Sequence, residues 1–132
     1  MTGVTDLETL LAHPQPRLLE GEYVFCTMPE GSGSQVSSLK PLATFKEEEG
    51  MSMLVEKSQA EDAGLNYSSV LRGITLSVHS SLEAVGLTAA VAGRLAAQGI
   101  PANVIAAHYH DHVFVPADKA EQALQLLNEL SG

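Results

Sequence analysis

The sequence predicts an α+β protein in which one unit, strand–helix–hairpin–helix, occurs twice. Each copy forms an antiparallel sheet with its helices on one face. Three observations lead there. "PLATFKEEEGMSMLVEKSQAEDA" from Pro41 and "PANVIAAHYHDHVFVPADKAEQA" from Pro101 align without a gap at a constant offset of 60, matching Pro41 to Pro101, Val55 to Val115, Ala60 to Ala120, Glu61 to Glu121 and Ala63 to Ala123. An earlier pair of blocks, "LLEGEYVFC" from Leu18 and "VLRGITLSV" from Val70, matches Leu19 to Leu71 and Gly21 to Gly73 at an offset of 52. Inside each copy the apolar residues switch between a period of two and a helical period, the marks of half-buried strands and amphipathic helices.

The elements follow in order. A helix opens the chain: Thr5 and Glu8 have capping-box spacing, Leu7, Leu10 and Leu11 form a stripe, and Pro14 ends it. "EYVFC" is the first copy's strand. "PEGSGSQVSSLK", from Pro29, puts glycine and serine where the second copy has its long helix, which predicts a loop with at most a short helix. The hairpin from Pro41 has its turn marked by Gly50, and Ser58 with Glu61 has the N-cap and N3 spacing of a short helix. In "GITLSV", Ile74, Leu76 and Val78 alternate with Thr75, Ser77 and His79, a half-buried strand. Leu87, Val91 and Leu95 recur at helical spacing. Gly99 stands where a left-handed residue ends such a helix, and Ile100 folds back on its last turn. "NVIAAHY" and "HVFVP" make the second hairpin. Ala120, Ala123, Leu124 and Leu127 mark the closing helix, with Asp118 and Glu121 as its capping box.

Composition bounds the function. The 132 residues suffice for one domain or two very small modules, and 45% hydrophobic with 17% charged residues is a globular balance. A net charge of −9 repels phosphate backbones and anionic lipid, so neither nucleic acid nor membrane is an expected partner. The N-terminus carries acids rather than the positive start of a signal peptide. The single cysteine, Cys26, cannot form an intrachain disulfide and lies in an apolar run, which suits a buried residue in a reducing cytoplasm. No nucleophile elbow, Walker loop, paired-cysteine motif or HExxH is present. Glu47, Glu48 and Glu49 alternate faces on a strand and do not make an acid–base pair. The expectation is a non-catalytic protein without a cofactor, with a general-base role for His108, His110 or His112 left open.

Those histidines lie in "AAHYHDHVFVP". The first copy has "EEEG" in the corresponding place, so this position calls for polarity rather than for a ligand, and the turn is expected at His110 and Asp111. Register decides what the cluster can do. With the turn there, His108 and His112 point to opposite faces; with a loop from Tyr109 to Asp111 they pair on one face and can bind zinc or nickel. A solvated hairpin is expected and no metal ligand is assigned.

The stretch "GLTAAVAGRLAAQGIPANVIAAHYHDHVFVPADKAEQAL", Gly86 to Leu124, resembles the ACT-domain family: glycine and leucine open the helix, an "aGI" turn leaves it, and a short hairpin ends in "FVP" before the last helix. The resemblance extends more faintly over Leu18 to Leu127 and is nearest to bacterial proteins made of two ACT-like modules. It implies two ferredoxin-like (βαββαβ) modules in tandem, residues 17–69 and 70–132, after an N-terminal helix and linker in residues 1–16. It also implies a regulatory module that binds a small molecule, such as an amino acid, at the loop between first strand and first helix. Mapped here, that site comprises Ser80, Ser81, Glu83, Gly86, Leu87 and Thr88, with Asn103 and Ile105 on the following strand. The frequent aspartate or asparagine close before Pro-Gly is absent from this loop. An interaction module that forms a homodimer without a ligand, or metal binding through the histidine hairpin, are the alternatives.

A ferredoxin-like module needs a fourth strand after its second helix, and the second copy ends without one. An exchange is expected: Val70 and Leu71 serve the first module, while Leu18 and Leu19 cross over to complete the second. Gly21 and Gly73 then mark bends between sheets.

Overall fold

The computed structural model describes residues 16–28, 39–76 and 87–129. The expected N-terminal helix and the glycine–serine stretch of residues 29–38 lie outside them. In chain order the elements are β1 (Pro16–Leu18), β2 (Tyr23–Met28), β3 (Ala43–Glu47), β4 (Gly50–Glu56), α1 (Lys57–Asp62), β5 (Leu71–Leu76), α2 (Leu87–Ala96), β6 (Asn103–Ala106), β7 (Asp111–Pro116), a 3-10 turn (Ala117–Lys119) and α3 (Ala120–Glu129). They form two compact units. One is Gly21–Leu71; the other is Arg72–Gly132 together with the chain up to Glu20.

In the unit Gly21–Leu71, β4 pairs antiparallel with β3 on one side and β2 on the other. Alternate residues of β2 and β4, namely Val24, Cys26, Met28, Met53 and Val55, are buried in one cluster with Ala60 of α1. The small Ala60 side chain lets the short helix lie close on the sheet. Tyr23 pairs with Leu71, as the exchange requires. The expected capping box does not form. The helix begins at Lys57 with Glu56 as its N-cap, which puts Ser58 inside the first turn. Strand β4 runs straight into the helix, and the Lys57 amide donates to the Glu22 carbonyl at 2.9 Å, so this amide needs no side-chain cap. Glu61 instead accepts from the Tyr67 hydroxyl at 3.0 Å.

In the other unit the strand order is β1-β5-β7-β6. β1 lies antiparallel to β5, with Pro16 opposite Leu76, Arg17 opposite Thr75 and Leu18 opposite Ile74. The ladder continues through the Leu19 amide, which donates to the Gly73 carbonyl at 2.8 Å. The exchanged strand is therefore present where the repeat placed it. Ile74, Leu76, Val113 and Val115 of the sheet pack against Val91 and Leu95 of α2 and Ala120, Ala123, Leu126 and Leu127 of α3. Each fully buried Leu, Ile or Val here contributes about 1.5–3 kcal/mol. Gly99 takes φ +73°, and Ile100 folds back so that its amide reaches the Leu95 carbonyl at 3.0 Å and its side chain is buried.

Four expectations change. β5 is not half-buried: Gly73, Ile74, Thr75 and Leu76 are all buried, because β5 lies inside its sheet and is covered on both faces. Gly73 is not a bend. A methyl group on it would meet the Phe114 ring at 2.7 Å, so a side chain is excluded by packing. Gly21, at φ +86°, does have the left-handed backbone of a bend. The Asp118–Glu121 capping box gives way to the 3-10 turn, whose Ala117 carbonyl accepts from the Ala120 amide. Finally, both hairpin turns lie earlier than expected. Glu47 pairs with Gly50, so the first turn is Glu48–Glu49 and Gly50 opens β4. The offset of 60 carries this register to the second hairpin: Ala43 opposite Leu54 becomes Asn103 opposite Phe114, and the Ala107 amide donates to the His110 carbonyl at 3.0 Å. The second turn is His108–Tyr109.

Candidate functional site

Of the site residues assigned from the sequence, Ser80, Ser81, Glu83 and Gly86 lie outside the described residues. Leu87 is the first residue of α2, and Thr88 follows it, exposed. A helix start of this kind presents amide groups without intrahelical partners and the positive end of the helix dipole, which suits a carboxylate. Asn103 and Ile105 are opposite Phe114 and His112. Val104, between them, packs on the core beneath the helices, so Asn103 and Ile105 turn their side chains to the face away from α2. β6 is the last strand in the order.

The helix-free face of the same sheet holds a polar group that alternation alone did not reveal. Thr75 is 2% exposed, and its Oγ1 lies 2.9 Å from Nδ1 of His112 on the neighbouring strand β7. His110 is on the same side of the chain, its ring centroid 6.3 Å from that of His112. Asp111, between them, is buried on the opposite side. Burial pulls the His112 imidazole below its ordinary range; His110 adds to this and Asp111 opposes it. Burial also raises the Asp111 carboxyl, against the pull of His112 and His110. A hydroxyl beside an imidazole is the beginning of a nucleophile–base pair, but the burial of Thr75 keeps a substrate from reaching its oxygen. The pair instead fixes the imidazole. Among the described residues no three His, Cys, Asp or Glu side chains converge as metal ligands.

Sequence reasoning also missed Arg72. Its guanidinium donates to the Leu19 carbonyl at 2.8 Å and thereby ties β5 to the exchanged N-terminal segment. Its buried Nε has no partner among the described residues. Neither Arg72 nor Thr75 could have been singled out from the sequence, since their partners are 53 and 37 residues away. Only the registers of β1 and β7 against β5 bring them together. Among the described residues no helix is long and apolar enough to cross a membrane.

Comparison with known proteins agrees with this architecture. Residues 2–72 match one family model described as an ACT domain, and residues 68–129 match a second with the same description. No curated protein matches the chain. Among solved structures, a Vibrio cholerae protein of unknown function, described as a possible transport protein, is 52% identical with a TM-score of 0.86, over 96% of each chain. An Agrobacterium tumefaciens protein is 14% identical with a TM-score of 0.72, over 88% of this chain and 87% of its own. The ligand-free regulatory subunit of aspartate kinase from Thermus thermophilus is 14% identical with a TM-score of 0.70, over 90% of this chain and 97% of its own.

Proposed function

This chain belongs to the ACT-domain family, with two such domains in tandem, and from that premise we propose that it is a non-catalytic regulatory module that binds an amino acid. The observation that carries the reading is the tandem match, joined to the likeness in fold to a regulatory subunit of aspartate kinase. In this proposal the ligand's carboxylate is received at the start of α2, with Ser80, Ser81 and Thr88 as its hydrogen-bonding side chains. Its ammonium meets Glu83. The backbone of Asn103 to Ile105 adds main-chain hydrogen bonds. Gly86 lets the ligand approach the chain closely, since a side chain there would occupy the ligand's place.

The test is a thermal-shift screen of the full chain against the amino acids, followed by calorimetric titration of those that raise the melting temperature. Gly86→Val is expected to weaken binding of the selected amino acid at least tenfold. Failure of every amino acid to shift the melting temperature overturns the reading. Binding that survives Gly86→Val moves the site elsewhere.

A second reading, an interaction module that pairs with another copy of itself, is favoured by one observation. Phe25 and Phe45, on one face of the sheet in the unit Gly21–Leu71, are 39% and 73% exposed. Sedimentation of the wild type against Phe45→Ser tests it: a dimer that dissociates in the variant supports this reading, and a wild-type monomer at micromolar concentration removes it.

A further inference from the structure

Moving the turn to His108–Tyr109 has a chemical consequence. His112 lies in β7, and His110, just ahead of that strand, still accepts from the Ala107 amide through its carbonyl, so the two side chains, two residues apart, leave the same face. Their ring centroids are 6.3 Å apart. Two imidazoles on one ion, with metal–nitrogen bonds of about 2.0–2.1 Å, hold their centroids roughly 5 Å apart at a tetrahedral angle and roughly 4.5 Å apart at the right angle of a tetragonal Cu2+ site. His110 is exposed, so a rotation of its side chain closes the difference without disturbing the core. His112 is already held. When its Nδ1–H donates to Thr75 Oγ1, Nε2 keeps its lone pair. A metal-ligating histidine nearly always has its second nitrogen engaged in this way. Asp111 points to the other face and takes no part.

We propose that His110 and His112 form a two-imidazole chelate for a divalent transition-metal ion, Cu2+ bound more tightly than Ni2+ or Zn2+, with Thr75 as the positioning residue. Imidazole suits all three ions, and the order follows their intrinsic affinities. Water fills the remaining coordination positions. The site is independent of the amino-acid site at α2 and stands or falls separately.

Titration of the untagged full chain with Cu2+, followed by calorimetry and by the electron paramagnetic resonance spectrum, tests it. One Cu2+ per chain is expected, with a spectrum showing two equatorial nitrogens. His110→Gln and His112→Gln should each weaken binding tenfold or more and reduce the nitrogen coupling to one. Thr75→Val should weaken binding about tenfold, the loss typical of an outer-shell partner, and Thr75→Ser should restore it. His108→Gln, His13→Gln and His79→Gln should bind as wild type. Circular dichroism of each variant checks the fold. Because His110 is exposed, its variant decides the matter even if His112→Gln or Thr75→Val is destabilised. Wild-type affinity in His110→Gln, or loss of binding in His13→Gln, His79→Gln or His108→Gln, overturns the proposal.

Discussion

Gly73→Ala is a minimal perturbation with a large expected effect. An added methyl group would lie 2.7 Å from Cε2 and 3.1 Å from Cζ of Phe114, and 3.1 Å from Cδ1 of Leu19. Carbon atoms pack best about 3.5–4.0 Å apart, so the nearest contact is too close by about 1 Å. Phe114 is 1% exposed and opposes Asn103 in the β6–β7 ladder, so its ring has no open space into which to move. Overpacking of this kind costs about 1–3 kcal/mol. Replacing glycine at a position whose backbone accepts alanine returns about 0.4–1 kcal/mol through the unfolded chain. The net loss is at most about 2.6 kcal/mol and centres near about 1.3 kcal/mol, a fall in melting temperature of roughly 4–8 °C at that centre for a chain of this length. Urea unfolding of the wild type, Gly73→Ala, Phe114→Leu and the double variant measures the coupling. In the Phe114→Leu background the methyl has room, and Gly73→Ala should cost less than about 0.5 kcal/mol, which is the size of ordinary non-additivity. An equal cost in both backgrounds would refute the steric argument.

Two further outcomes follow from the structure. Deleting residues 1–19 removes the ladder from Pro16 to Leu19 and leaves the edge of β5 open; hydrogen exchange of the β5 amides should accelerate at least tenfold, and unchanged protection contradicts the exchange. Burial pushes the Cys26 thiol above its ordinary 9.0, so the unfolded chain ionises first as the pH rises. Stability that is complete below that value should therefore decline as the pH climbs from 9.0 toward the folded-state value. Burial raises the Tyr23 hydroxyl as well, with Glu56 adding to the effect, so Tyr23 makes a similar loss from its ordinary 10.0 upward. Cys26→Ala should abolish the decline that begins near 9.0; a variant with the same alkaline profile as wild type refutes this assignment.

What the sequence determined by itself was local or repeated. The gapless offset of 60 holds in the registers of both hairpins, because a strand's two-residue period cannot slip by one place without turning its buried face outward. The end of α2 was legible because Gly99 and Ile100 act on the turn immediately before them. The exchange of strands was legible as well, because the repeat matched the segment at Leu18 and Leu19 to the one at Val70 and Leu71, and Leu18 does pair with β5. Tertiary structure decided whatever depended on a distant partner. The capping pairs at Ser58 and Asp118 have the right spacing, but a strand leading directly into α1 and a 3-10 turn ahead of α3 supply other backbone arrangements. Thr75 reads as a solvent-facing residue until β7 sets His112 beside it. Gly73 reads as a bend until the Phe114 ring is seen to occupy the space of its missing side chain. The histidines could be read as a pair only after the turn was placed at His108–Tyr109. Periodicity reports which way a side chain points, and only the packed neighbours determine what it meets there.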